Sequence, residues 1–218
     1  MEGAEHRLVI VAAPTTLLER ARRLVASGRR RILGIVGPPG GGKSTVARLV
    51  VAQLGDAAAL VPMDGFHLAQ DELVRLGRRD RMGAPDTFDA DGYVALLRRL
   101  RDATDSVVYA PEFRREIEEP IAGAIAIPRS VPLVVTEGNY LLLEHGGWDG
   151  VRALLDESWY VEVDEETRIE RLVKRHVAFG KAPGEAREWT MGSDQRNAEV
   201  VARTAHRADL VVRLAESG

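Results

Sequence analysis

Residues 37–45 read Gly37-Pro38-Pro39-Gly40-Gly41-Gly42-Lys43-Ser44-Thr45, and this run decides how the rest of the chain is read. It fits G-x-x-x-x-G-K-[ST] with Gly37, Gly42, Lys43 and Ser44 on the defined positions. Glycines let the backbone curl so that successive N–H groups converge on phosphate oxygens, and a following helix adds its positive end. In this reading Gly37, Pro38, Gly40, Gly41, Gly42, Lys43, Ser44 and Thr45 hold a nucleotide. Lys43 reaches the β- and γ-phosphates, and the Ser44 hydroxyl ligates Mg²⁺. An apolar stretch, Arg31-Ile-Leu-Gly-Ile-Val36, leads in, and an apolar-periodic segment from Val46 to Leu54 leads out, so the loop joins a strand to a helix. A nucleoside triphosphate is the expected ligand. ATP is the expected donor, since the Asn-Lys-x-Asp motif of guanine readers is absent.

Outward from the loop, Ala58-Ala-Leu-Val-Pro-Met63 reads as a second buried strand, completing the β-loop-α-β opening of a doubly wound α/β sheet. Leu133–Thr136, Ser158–Val163 and Leu210–Arg213 are further strand candidates, giving five parallel strands. Helices are expected at about 15–27, 43–54, 91–101, 148–156, 165–178 and 194–206. The stretch 104–131 breaks this rhythm with short β-prone pieces around Pro111 and Pro120, and reads as an insertion that helps form an acceptor pocket.

At 218 residues the chain is expected to form a single well-cored domain over 1–218. A net charge of −3 gives no electrostatic reason to expect a nucleic-acid partner, and the absence of cysteine excludes disulfides, thiolate metal sites and cysteine nucleophiles. No segment approaches membrane-spanning length and no signal pattern opens the chain, so a cytoplasmic location without membrane attachment is expected. Lysine is scarce: Lys43, Lys174 and Lys181 are the only three among 30 basic residues. An arginine on a motif position therefore means less than a lysine.

Phosphoryl transfer needs clamped phosphates, a held metal, an acceptor oxygen in line and cations for the spreading charge. Asp64, in Pro-Met-Asp-Gly-Phe-His67, ends the second strand at the sheet's carboxyl edge. It reads either as the group that orients or deprotonates an acceptor hydroxyl or as a turn cap beside Gly65. His67 reads as a substrate contact or a pocket wall. Glu137 follows the strand 133–136 and reads as a second anchor for Mg²⁺ with Ser44, in preference to a solvated strand-end carboxylate, with Asn139 and Tyr140 then lining the cavity. Asp86 is either a substrate ligand or a loop cap ahead of the helix near Asp91. Arg168, Arg171 and Arg175 fall on one helical face, either as cations of a lid over about 171–192 or as a solvated face pairing with Glu165, Glu166 and Glu170. An exposed face of the helix at 15–27 is compatible with a homodimer.

Taken together, the phosphate loop, Met-Asp-Gly-Phe-His67, Gly83-Ala-Pro-Asp-Thr-Phe-Asp89, Val135-Thr-Glu-Gly-Asn-Tyr140 and Arg207-Ala-Asp-Leu-Val-Val212 resemble the P-loop kinases related to uridine kinase, phosphoribulokinase and type I pantothenate kinase. Within that group the chain is similar to bacterial nucleoside/nucleotide kinase proteins, some called fructose kinases of sugar-transport operons. The resemblance spans roughly residues 30–214. It implies the P-loop NTPase fold, ATP and Mg²⁺, and transfer of the γ-phosphate to a hydroxyl of a small molecule such as a nucleoside, a sugar or a pantothenate-like acceptor. It also implies that Asp64 activates that hydroxyl, that Glu137 is the strand-end acid, and that Arg171 and Arg175 begin the lid, with Arg175 catalytic. Tyr109 and Arg114 (or its neighbour Arg115) fall in the acceptor region. Uridine kinases usually carry Asp-Ser-Phe-Tyr where this chain has Asp64-Gly-Phe-His67. A reading from a different class is a switch or slow ATPase that acts through a protein partner.

Overall fold

The computed structural model describes residues 8–12 and 14–214; the first seven residues, on which the reading of the chain's start partly rests, lie outside them. In chain order the strands are β1 (Leu8–Ala12), β2 (Arg31–Val36), β3 (Ala58–Pro62), β4 (Val107–Arg114), β5 (Glu119–Pro128), β6 (Leu133–Gly138), β7 (Glu157–Glu162) and β8 (Leu210–Leu214). The helices are α1 (Pro14–Val25), α2 (Lys43–Leu54), α3 (Gln70–Arg75), α4 (Ala90–Asp102), α5 (Glu165–Ala178), α6 (Pro183–Trp189) and α7 (Gln195–Ala202).

Six strands form one parallel sheet in the order β1-β8-β7-β2-β6-β3, while β4 and β5 pair antiparallel as a separate hairpin. The five expected strands are all present, and β1 extends the sheet beyond them at the β8 edge. Alternation along β2 builds two cores. Ile32 and Val36 face a cluster containing α4 and Trp148, whereas Leu33 and Ile35 face one built from α1 and α2. Such continuous apolar strands suit a sheet covered on both faces. The apolar side of α1, Leu17 and Ala21, is taken up in the second core. Among the described residues no helix is long and apolar enough to cross a membrane.

The expected helix at 148–156 is instead two single 3₁₀ turns, Trp148–Gly150 and Arg152–Leu154. Trp148 and Val151, three apart, are both fully buried, a spacing that three residues per turn satisfies. The expected helix at 194–206 is shorter, α7 being preceded by a π turn over Thr190–Asp194.

Buried Arg30 ties the hairpin to the sheet. Its guanidinium donates to the carbonyls of Val131 (2.9 Å), Leu100 (3.2 Å) and Pro128 (2.5 Å), joining the end of α4 to the chain that returns from β5. These bonds satisfy carbonyls that burial would otherwise leave orphaned.

Candidate active site

The site lies where β2, β6 and β3 end. Register places Glu137 of β6 level with Ile35 of β2 and Pro62 of β3, so the phosphate loop, Glu137 and Asp64 emerge side by side at the carboxyl edge. Because β6 sits between β2 and β3, the acidic strand end separates the loop from the Asp64 turn. Buried hydrogen bonds fix that strand: Tyr93 Oη of α4 donates to Thr136 Oγ1 (2.6 Å), which donates to the Val61 carbonyl (2.6 Å).

Helix α2 starts at Lys43 behind Gly42, which adopts a left-handed φ of 91°. No side chain caps the helix and its first turn carries no acid, so its free N–H groups are left to an outside anion. A cradle lined by Gly40, Gly42, Lys43, Ser44, Thr45, Arg171, Leu172 and Arg175 opens over this turn. Gly37, Pro38 and Gly41 shape the loop without lining the cradle, the Pro38 carbonyl accepting from Gly41 N–H at 2.9 Å. Helix α5 is packed hard against the loop, since a Cβ on Gly40 would stand 2.9 Å from the Arg168 carbonyl. The buried Arg168 side chain bonds Gln195 and does not line the cradle, unlike Arg171 and Arg175.

A second, larger cavity shares Lys43, Ser44 and Arg175 with the cradle and adds Asp64, His67, Phe113, Arg115, Asn139 and residues of the α5–α7 region. Asp64 begins just past β3 in the 3₁₀ turn Met63–Phe66. Gly65 is required there because a Cβ would lie 2.3 Å from the Pro111 carbonyl, so the hairpin crosses directly over the turn. Asp64 Oδ2 accepts from Arg115 Nη2 at 3.1 Å, and its backbone carbonyl accepts from His67 Nδ1 at 2.7 Å. The His67 ring is held between Phe88 and Phe113, with centroids 4.0 and 4.5 Å away.

Burial alone would push the Asp64 carboxyl up, but His67, Arg115, Lys43 and Arg175 together hold it below the ordinary carboxylate range. The imidazole contributes only when protonated, and burial lowers its own pKa, so at neutral pH the three fixed cations keep Asp64 ionised. Burial pushes Glu137 the other way, up, against the pull of Lys43. Its Oε1 accepts from the Ser44 hydroxyl at 2.9 Å, and the residue is 7% exposed. Burial also draws Lys43 down, opposed by Glu137 and Asp64. Burial and Arg115 likewise lower Arg175, whose guanidinium makes no hydrogen bond or ion pair with a described residue.

Four expected acceptor contacts lie elsewhere. Asp86 pairs with Arg81 and with Arg78 (3.5 Å) on an exposed turn, and Asp89 caps α4 instead, accepting from Gly92 N–H at 2.9 Å. Tyr140 is buried and donates to the Gly83 carbonyl (2.5 Å), so it props the cavity wall from behind. Tyr109 is 60% exposed outside the cavity. Arg114 turns back to Glu112 (3.1 Å), leaving its neighbour Arg115 to meet Asp64. Tyr109 and Phe113 lie on either side of a pairing irregularity between Ala110 and Glu112, and Phe113 but not Tyr109 lines the cavity. Pro111 at that point is the one sequence signal for it.

The chain is 31% identical over 213 residues to the Schizosaccharomyces pombe protein "Putative uridine kinase C227.14", across 93% of this chain and 91% of that relative. It belongs to the P-loop kinases of the uridine kinase superfamily. The Escherichia coli protein YggC, itself uncharacterized, is 30% identical across 95% of this chain and 88% of its own. The solved "putative fructose transport system kinase" of Silicibacter sp. TM1040 matches with a TM-score of 0.82 at 33% identity, across 92% of this chain and 98% of that one. No family model matches the chain. These relatives place it among ATP-dependent kinases and leave the acceptor unspecified.

Proposed function

We propose that this kinase transfers the γ-phosphate of ATP to a hydroxyl of a small-molecule acceptor held in the larger cavity. The observation that carries the reading is the shared wall: Lys43, Ser44 and Arg175 line both the cradle and the cavity, while Asp64 lines the cavity alone. A donor phosphate held by the loop would meet an acceptor there.

In the proposed reaction Asp64 accepts the hydroxyl proton as the acceptor oxygen bonds to the γ-phosphorus. The bond from that phosphorus to the bridging oxygen breaks, and its electron pair leaves on ADP. Lys43 and Arg175, with Arg171 behind them, meet the charge that spreads over the transferring group. His67, clamped between two phenyl rings, fixes the Asp64 turn through the carbonyl bond. Residues 171–192 act as the lid, excluding water from the shared wall.

The Ser44 hydroxyl and Glu137 carboxylate fit Mg²⁺: both are hard oxygen donors, in contact with one another at the foot of the loop. Among the described residues no group of three or more His, Cys, Asp or Glu side chains could hold a metal, which suits an ion that takes its other ligands from phosphate and water. When bound, the ion supplies charge neutralisation on the phosphates.

Coupled ADP release with Mg-ATP against nucleosides, glycerate, pantothenate and free and phosphorylated sugars tests this reading. At least one acceptor is expected to accelerate ADP release saturably. Slow hydrolysis that no acceptor stimulates would contradict it and favour a switch.

A further inference from the structure

We propose that Arg115 makes a negative charge on the acceptor a condition of catalysis: the acceptor is a hydroxyl compound carrying a carboxylate or phosphate, which draws the guanidinium away from Asp64. The inference rests on the kinase reading above, with Asp64 as proton acceptor.

The site holds its own base in an ion pair. Asp64 Oδ2 and Arg115 Nη2 stand 3.1 Å apart. A carboxylate that keeps a guanidinium partner is a poor proton acceptor, because protonation forfeits the pair. An incoming hydroxyl must also compete for the same oxygen. Yet the pair is built to exchange, since its side chains remain 44% and 32% exposed and Arg115 sits at the hairpin turn beyond β4. Pairs that open to solvent are weak and break cheaply.

An acceptor with a carboxylate or phosphate gives the planar fork of Arg115 a bidentate partner and frees Asp64 in the same event. A neutral acceptor offers no such replacement. The pair then persists, or breaks and leaves the guanidinium without a counter-charge.

Among the described residues no other cation of the cavity forms an ion pair with Asp64. Arg79 pairs with Glu118 at 2.7 Å. Lys181 pairs with Glu185 at 3.2 Å and lies 4.8 Å over the Trp189 ring. Lys43 and Arg175 also line the phosphate cradle. Of the lining carboxylates, Glu118 pairs with Arg79 and Asp194 with His176 at 2.7 Å. On the same wall the buried Asn139 Oδ1 has no hydrogen-bond partner and can accept from a hydroxyl of the acceptor.

The test measures kcat/KM for matched acceptors differing in charge, namely glycerate and glycerol, pantothenate and pantothenol, and sugar phosphates and their parent sugars. Wild type, Arg115→Met and Arg115→Lys are compared by acceptor-dependent ADP release. The wild type is expected to prefer the anionic member of the productive pair by about 10- to 100-fold, the worth of a charge-assisted bidentate contact. Arg115→Met should shrink that preference to within about 5-fold, and Arg115→Lys should keep an intermediate part of it, having charge without the fork. Unchanged melting temperatures and unchanged Mg-ATP affinity would tie the loss to the acceptor. Equal turnover of neutral and anionic members by the wild type, or an equal fall for both in Arg115→Met, would overturn the charge condition while leaving the kinase reading intact. ADP release that no acceptor stimulates would overturn both.

Discussion

The two halves of the site are made in opposite ways. The phosphate cradle comes mostly from one contiguous stretch, Gly40 to Thr45, set between a fully buried strand end and an uncapped helix start. The larger cavity, which we propose holds the acceptor, is assembled from the Asp64 turn, the β4–β5 hairpin, the loop at 79–88, Asn139 and the α5–α7 region, which meet only in the folded chain. The cradle therefore depends on local backbone geometry. The cavity depends on how distant segments cross, and small displacements there should change acceptor handling without touching the nucleotide.

Besides the loss of Asp64 itself, the largest effect is expected on the wall that both halves share. Lys43→Ala should lower turnover by about 10³-fold for every acceptor alike, as the loss of a charge-stabilising group does. A fall confined to one acceptor, measured by steady-state kinetics on two or more, would break the division drawn here. Next comes Gly65→Ala, whose methyl group would collide with the Pro111 carbonyl and push the hairpin away from Asp64. Acceptor KM should rise by about 10-fold or more, because sub-ångström misplacement is costly in such sites, while the KM for ATP stays put. A matching rise in both constants would mean that the halves are not separable.

The smallest effect is on stability. Burial raises the Glu137 carboxyl in the folded chain, so the folded state holds that proton more tightly than the unfolded state. Ionised Glu137 thus opposes folding at pH above its raised value, and the penalty disappears below the unfolded value near ~4.3. Glu137→Gln should melt about 2–4 °C higher than wild type at pH 8. The difference should vanish near pH 4 as activity with Mg-ATP drops at all pH values. A lower melting temperature at pH 8 would show that the Ser44 and Lys43 contacts outweigh the cost of burial.

The same division explains what could be read from the sequence. Motif spacing sets Lys43 and Ser44 on the wall of the cradle, and strand-end position sets Asp64 and Glu137 at the sheet's carboxyl edge, because each is fixed by its nearest secondary structure. Arg171 and Arg175 followed from helical spacing within α5. Tyr109, Arg114, Asp86 and Tyr140 were misplaced because their directions depend on tertiary details. The hairpin's pairing shifts beside Pro111, and arginines at 78 and 81 claim Asp86. Strand β1 escaped notice since five apolar residues near a chain start carry little pattern until β8 pairs with them. The 148–156 segment has helical-looking apolar spacing, but Gly147 and Gly150 flank a tryptophan that the core holds in a tighter turn.

The central claim is that Asp64 serves the acceptor and not the nucleotide. Its most direct test measures Mg-ATP binding by calorimetry and acceptor-stimulated ADP release together in Asp64→Asn. The account predicts a dissociation constant within about 3-fold of wild type and turnover lower by about 10²- to 10⁴-fold, the usual contribution of a positioned base. Near-normal turnover, or a loss of nucleotide binding as large as the loss of turnover, would contradict it.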